Sequence, residues 1–259
     1  MGATKPFCAA AMGAVGVVVM AVGVSCNNDN PVNGNENSGT VTDVDGNVYQ
    51  TVKIGNQEWT TENLRTTKYN DGSPILNITG KMTWDSCIYT LAEAYCFYNN
   101  TTNSDSIKKF GALYNWFAVN TGKLAPEGWH VPTDAEWDTL QNYLIASGYN
   151  WDGTTTENKI AKSMATKTDW KSSSGGADGA IGNDLTKNNE SGFSALPGGI
   201  RQPEHDFNGK DSSGYWWTAT NGGACGTWSR SLSFDIEDLT KNFSVKNFGF
   251  SLRLVRDVN

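Results

Sequence analysis

Few residues in this chain are equipped for chemistry, and most of them are scattered. Only two histidines, His130 and His205, stand in 259 residues, and the cysteines are Cys8, Cys26, Cys87, Cys96 and Cys225. His130 lies just ahead of Thr133-Asp134-Ala135-Glu136. As paired carboxylates for a hydrolase, Asp134 and Glu136 have the wrong spacing: two residues apart on a helix, they diverge by roughly 200°. Thr133 and Glu136 instead form a Thr-x-x-Glu capping box, and Asp134 suits the positive end of the helix dipole. His130 then reads as a packing or hydrogen-bonding residue at the helix start. His205 sits in the polar run Gln202-Pro203-Glu204-His205-Asp206, where no Ser, Cys or Asp is assignable to it as a triad partner. With so little His and no CxxC pair, a structural zinc site is not expected. Asp43, Asp45 and Asn47 imitate the opening of a calcium loop, but the twelfth position from Asp43 is Ile54, where a bidentate Glu is needed. No catalytic residue, cofactor or metal ligand is assigned. The better candidates for ligand contact are aromatic. Trp216 and Trp217 are adjacent in a strand-like segment, so their rings face opposite sides. Either one ring reaches the surface to stack on a sugar or anchor a partner, or both pack under long loops.

The elements that must position these residues follow from composition and pattern. The chain is 38% hydrophobic, 18% charged and 11% aromatic, with ten Trp and 28 Gly. Gly therefore exceeds the roughly 7% usual in proteins, which favours turns and loops over long helices. The formal net charge of -7 argues against a nucleic-acid partner, because phosphate contacts lean on Lys and Arg. Residues 40–64 alternate and turn like β structure, with Asp45-Gly46-Asn47 and Gly55-Asn56 as hairpin turns. The clearest helix begins at Thr133, carries Trp137, Leu140 and Leu144 on one face and closes at Gly148. Further helices are expected over Phe110–Val119 and from about Thr156 to Met164. Strands are expected at 193–196, 215–220, 229–234 and 249–255, separated by long polar loops. Strands first, helices in the middle and loop-rich strands last, without βαβ alternation, define an α+β fold.

The amino terminus reads as an address. Ala9 to Val24 is a 16-residue apolar run, too short to span a bilayer and placed where a secretory signal belongs. It ends at Val22-Gly23-Val24-Ser25-Cys26, which resembles the lipobox of bacterial lipoproteins, with Gly23 where a large aliphatic is usual. That resemblance implies a signal peptide over 1–25, lipidation of Cys26 and attachment to the bacterial cell envelope, at the outer membrane and surface-exposed. Acyl chains supply about 0.8 kcal/mol per buried methylene, enough when several are present to hold a folded domain at a membrane. Residues 26–39 carry too little apolar surface to fold and read as a flexible tether. With Cys8 and Cys26 assigned to the leader and anchor, Cys87, Cys96 and Cys225 remain. One disulfide is compatible with an oxidising envelope, most simply Cys87–Cys96, leaving Cys225 free.

Several phrases in order carry a family resemblance. They are Asp45-Gly46-Asn47-Val48-Tyr49, Ile54-Gly55-Asn56-Gln57-Glu58-Trp59, Glu62-Asn63-Leu64-Arg65 and Phe110-Gly111-Ala112-Leu113-Tyr114-Asn115-Trp116. Further along stand Gly128-Trp129-His130-Val131-Pro132-Thr133-Asp134-Ala135-Glu136-Trp137, Gly192-Phe193-Ser194-Ala195-Leu196-Pro197-Gly198-Gly199, Tyr215-Trp216-Trp217-Thr218-Ala219-Thr220 and Gly249-Phe250-Ser251-Leu252-Arg253-Leu254-Val255-Arg256. The set resembles the Fibrobacter succinogenes major paralogous domain, over about residues 41–257. Pro132 to Trp137 and the closing Gly249 to Arg253 are also similar to the formylglycine-generating-enzyme group. That likeness implies a single domain over 40–259 with a variant of the C-type lectin fold: a twisted antiparallel sheet, two to three helices and long loops. It also implies a carboxy-terminal strand that closes the sheet near the first one. An active oxidase of that group would need two nearby late cysteines for copper, whereas Cys225 stands alone. Gln202-Pro203-Glu204 is similar to the calcium-binding triplets of sugar-binding C-type lectins, but the Trp-Asn-Asp they also use is absent. Arg253 and Arg256 are expected to support the terminal strand through local carboxylates.

The sequence thus leads to a lipid-anchored envelope protein whose domain recognises a glycan or surface protein without catalysis. Residues 171–230 are the expected contact face, with Trp216, Trp217, Gln202, Glu204 and His205 as candidate ligand residues. The alternatives are a carbohydrate-active or polymer-handling accessory protein and, further off, a degenerate enzyme of the formylglycine-generating type.

Overall fold

A computed structural model describes residues 39–173, 175–204, 206–224 and 226–258, all within one compact unit. The leader, Cys26 and most of the tether lie outside the described residues. The chain opens with β1 (Thr40–Thr42), β2 (Val48–Ile54) and β3 (Gln57–Thr60). Both expected hairpin turns form: Thr42 pairs with Val48 across Asp43–Asn47, and Ile54 with Gln57 across Gly55-Asn56. Asp43 explains the first turn, since its carboxylate accepts from the Asp45 and Asn47 amides at 3.0 and 2.9 Å and from the Tyr49 hydroxyl at 2.5 Å. The Asp45 carboxylate is held in turn by the Thr67 amide and Lys68. The imitation calcium loop is a hairpin whose carboxylates hold protein donors.

A small sheet follows, in which β4 (Leu76–Asn77) runs parallel to β5 (Ala94–Cys96), and β5 pairs antiparallel with β6 (Leu113–Tyr114). Helix α1 (Lys81–Thr90) lies between β4 and β5, burying Trp84 and Cys87. Next come α2 (Ser104–Phe110), α3 (Trp116–Asn120), α4 (Asp134–Ala146) and the single turn α5 (Ala161–Met164). The late strands β7 (Gly198–Arg201), β8 (Phe207–Lys210), β9 (Ser213–Trp217), β10 (Thr227–Ser233) and β11 (Thr240–Ser244) form one sheet in the order β11-β10-β9-β7-β8. The last strand, β12 (Val255–Asp257), returns to the opening sheet and pairs antiparallel with β3, giving β1-β2-β3-β12. The expected pairing of a late strand with the opening sheet is therefore present, in a mixed α+β fold of several mainly antiparallel sheets.

Helix α4 starts as its sequence dictates. The Thr133 hydroxyl accepts from the Glu136 amide, the Glu136 carboxylate accepts from the Thr133 amide, and Trp137, Leu140 and Leu144 are buried. The expected helix over Phe110–Val119 is broken in three. Gly111 has φ 75°, and a side chain there would stand 2.6 Å from Asn63 Cβ, so α2 must end. Asn115 then starts α3 by accepting from the Ala118 amide. Only Ala161–Met164 of the Thr156–Met164 helix forms. Residues 193–196 make a single bridge, Ala165 to Ala195, rather than a strand, and β9 stops at Trp217. The expected strand at 229–234 is present as β10. Before β12, the closing segment touches other elements through the bridges Arg201–Gly249, Tyr114–Phe250 and Trp216–Ser251.

Two main cores sit on either side of β9. One gathers Tyr49, Leu64, Tyr114, Trp116, Trp217, Phe250 and Leu252. The other gathers Trp59, Trp137, Leu140, Leu144, Phe193, Trp216 and Val255. Consecutive strand residues point to opposite faces, so β9 sends one indole into each core.

Candidate functional site

The structure moves the two leading aromatic candidates from surface to interior. Trp216 and Trp217 are both 0% exposed. Trp216 packs against Trp137 at 6.3 Å and Trp217 against Phe250 at 4.3 Å between ring centroids. Their indole N–H groups donate to Asn63 Oδ1 at 2.9 Å and to the Tyr114 carbonyl at 2.8 Å. Neither ring has a face left for a ligand, because the sheet is covered on both sides. Gln202 and Glu204 belong to the β7–β8 hairpin turn, closed by the Gln202 amide on the Asp206 carbonyl, and the Glu204 amide donates to Asp85 Oδ1 at 3.0 Å. His205 and Cys225 lie outside the described residues. Cys87 and Cys96, whose pairing the sequence left open, are free thiols buried in a small cluster with Trp84, Ala94 and Leu113. Burial pushes the Cys96 thiol up to about 11, consistent with cysteines that pack as small hydrophobes.

His130 is hydrogen bonded to Glu136, Nε2 to Oε1 at 2.5 Å, while Glu136 Oε2 holds the Thr133 amide at 2.7 Å. That hydrogen bond raises the imidazole above its ordinary value against the opposing effect of burial. Burial alone would raise the Glu136 carboxyl, yet the bonds from His130 and Thr133 bring it below its ordinary range. The pair is built into the start of α4. Asp134 accepts from Arg230 and Lys241, each at 2.5 Å. At the terminal strand Arg256 pairs with Glu58 at 2.6 Å as expected, but Arg253 does not use a carboxylate.

Arg253 is 0% exposed and held by neutral oxygens. Its Nε donates to Asn63 Oδ1 at 2.9 Å, Nη1 to the Thr60 and Phe193 carbonyls at 2.6 and 3.1 Å, and Nη2 to the Ser194 carbonyl at 2.8 Å. Burial lowers this guanidinium to about 9. Asn63 is the junction of this network. Its Oδ1 serves both Trp216 and Arg253, and its Nδ2 donates to the Phe110 carbonyl at 2.9 Å and to Ser251 Oγ at 3.2 Å.

Ser194, at the far end of this network, lines a cleft of about 1080 Å³. One wall is Gln50–Val52 of β2 with Thr61, another is Tyr149 and Trp151 after α4, and the rest is α5, Lys167, Asp178 and the segment from Asn183 to Ser194. That segment is sewn to α5. The Asn189 and Ser191 amides donate to the Lys162 and Ser163 carbonyls at 3.1 and 3.0 Å, and Asn188 Nδ2 to the Thr166 carbonyl at 3.0 Å. Lys162, only 5% exposed, sends its ammonium to the Asn183 carbonyl, to the Asp184 carbonyl at 3.2 Å and to Asn188 Oδ1 at 3.3 Å. Burial lowers this amine below its ordinary value. Three non-glycine residues with left-handed backbone, Asp184 (φ 56°), Asn189 (φ 66°) and Ser194 (φ 57°), all line the cleft. Asp and Asn adopt this conformation readily, whereas Ser194 is held in it by its amide's bond to Asn189 Oδ1 at 2.9 Å.

Trp151 stands at the cleft with 40% of its surface exposed. Its Nε1 donates to Glu237 Oε2 at 2.9 Å, and a Cβ at Gly179 would overlap its ring. The indole is thus fixed while one part stays open. The expected contact face, 171–230, meets this cleft only between Asp178 and Ser194; the remaining walls come from earlier in the chain. No named ligand candidate lines it. The signal that marks it in sequence is the run Asn183-Asp184 to Asn188-Asn189-Glu190-Ser191-Gly192, rich in residue types that tolerate left-handed backbone.

These features define an α+β domain with a buried tryptophan-rich centre and a rigid, polar, loop-built cleft. The chain belongs to the family of the Fibrobacter succinogenes major domain, whose model matches residues 52–256. No curated protein and no solved structure matches it. Among the described residues no helix is long and apolar enough to cross a membrane.

Proposed function

We propose that this domain is a non-enzymatic recognition module, held at the cell envelope through lipid on Cys26, and that the cleft beside Trp151 is its ligand site. The observation that carries the reading is the prebuilt state of the cleft. The Ser163 hydroxyl donates to the Ile160 carbonyl at 2.8 Å, Ser191 to the Ser163 carbonyl at 2.8 Å, and the Lys162 ammonium to three oxygens. These two hydroxyls and this ammonium are spent on the wall and its backing, which suits contact rather than covalent chemistry at them. Rigid walls favour binding because little conformational freedom is lost when a ligand enters. The finer architecture we propose is the C-type-lectin-like variant, supported by the β3–β12 closure and the long loops between late strands.

Glu190 is an exposed wall position, and Glu190→Trp would fill the opening without touching the core. Cells displaying the full-length protein should be retained on surfaces coated with cell-surface glycans or proteins, and the Glu190→Trp cells should be released. Equal retention of both would remove the cleft as ligand site, and chemical conversion of a retained ligand would remove the non-enzymatic reading. Metabolic labelling with a fatty-acid analogue should mark wild type and not Cys26→Ala; unlabelled wild type would refute the anchor.

A further inference from the structure

The cleft's walls also restrict what it takes. Three lysines (Lys162, Lys167, Lys187) face three carboxylates (Asp178, Asp184, Glu190), so the lining carries no net side-chain charge. Lys187 is already paired with Asp184 at 3.6 Å. A polyanion would meet the remaining acids and a polycation the remaining lysines. The chain's net charge of -7 further opposes a polyanion, although salt screens that effect beyond about 8 Å under physiological conditions. What remains attractive is a dense alternation of donors and acceptors next to one fixed, partly open indole. Hydroxyl groups of a sugar both donate and accept, and the apolar face of a sugar ring covers an aromatic ring. A volume of about 1080 Å³ lies just above the roughly 300–1,000 Å³ of small-molecule sites, room for more than one ring.

We infer that the cleft binds an uncharged glycan, a short stretch of a neutral sugar polymer, with one ring stacked on Trp151. This deepens the recognition reading and rests on it. Gly179 sets the platform: with no side chain of its own it lets the indole lie down and reach Glu237. Gly179 is therefore a positioning residue for the stacking ring.

The test is affinity electrophoresis of the full-length protein, in detergent, through gels containing neutral glucan, mannan or xylan, polygalacturonate, or chitosan. Wild type should be retarded by at least one neutral polymer and by neither charged one, with retardation unchanged on adding salt. Trp151→Ala should weaken that binding by about tenfold. Gly179→Ala should weaken it comparably although Trp151 is still present. Trp228→Ala, a partly exposed tryptophan outside the cleft, should bind as wild type. Melting temperatures of all variants separate loss of binding from loss of fold. Retardation only by a charged polymer would overturn the neutral assignment and leave recognition standing. Neutral binding unaffected by Trp151→Ala in a folded variant would overturn the stacking site. Retardation by none of the polymers would overturn the glycan inference, while retention of displaying cells on a protein-coated surface, lost with Glu190→Trp, would keep the recognition reading.

Discussion

Replacing Asn63 tests whether one side chain joins the aromatic core to the cleft. Asn63→Leu keeps the branching and the number of heavy atoms with bulkier methyl groups, and the Trp216 indole N–H and the Arg253 Nε–H lose their shared acceptor, both at 2.9 Å in the native protein. Water does not reach them, since Trp216 and Arg253 are each 0% exposed. An orphaned buried donor costs about 1–3 kcal/mol, and more where the group is charged. The two together predict a loss of about 3–5 kcal/mol, a large part of the roughly 5–15 kcal/mol that a domain possesses. Asn63→Asp keeps the shared acceptor and gives Arg253 a counter-charge, at the cost of the Nδ2 donor and its bond to the Phe110 carbonyl. It should lose no more than about 1–2 kcal/mol on the same reasoning. Urea unfolding followed by near-ultraviolet circular dichroism reads both values, with an unchanged m confirming a change in stability alone. If the two variants fall within about 0.5 kcal/mol of each other, the acceptor is not what Asn63 supplies and the network argument fails.

Other perturbations separate the remaining roles. The pH dependence of the His130–Glu136 pair has a definite sign. The imidazole is raised above 6.5, so its contribution is complete below 6.5 and fades as pH rises through the raised value. The Glu136 carboxyl is lowered below 4.5, so its contribution is complete above 4.5 and fades as pH falls through the lowered value. The stability of wild type over His130→Gln should therefore peak between pH 4.5 and 6.5 and shrink on the alkaline side; a flat difference across pH would refute the pairing. Lys162→Met should leave three oxygens without their donor, cost about 1–3 kcal/mol and speed amide hydrogen exchange over 183–191 before the rest of the domain. Unchanged exchange there would show that the ammonium does not hold the segment. Trp217→Ala, which opens a cavity beside Phe250, should lose about 3–5 kcal/mol; a loss under about 1 kcal/mol would contradict its burial.

What sequence made legible depended on how local the determining physics is. The capping box of α4 and the Asp43–Asn47 turn involve groups within four residues of one another, so pattern alone places them. Phe110–Val119 misled because its apolar spacing is helical, while its fate is decided by Asn63, which lies against Gly111 from 48 positions earlier in the chain. The rule that adjacent strand residues face opposite sides correctly separates Trp216 from Trp217. It cannot say that both sides are covered, because that depends on α4 and on the closing segment around Phe250. The cleft was hidden for the same reason. Trp151, Lys162 and Ser194 come together only after α5 docks on the 183–195 segment, and each alone looks like an ordinary loop residue.

The β3–β12 pairing has a consequence for synthesis. Arg256 reaches Glu58 across 198 positions, and Arg253 reaches Asn63 across 190. Contacts so remote in sequence form late, since the intervening chain must be gathered first. A chain emerging from a ribosome therefore cannot finish its opening sheet, or fix Ser194 at the cleft, until Arg253 and β12 are free. A copy that stops at Leu252 lacks both Arg253 and β12. Such a copy would not be a slightly smaller domain but an open one, with the buried face of β3 exposed to whatever degrades unfinished chains.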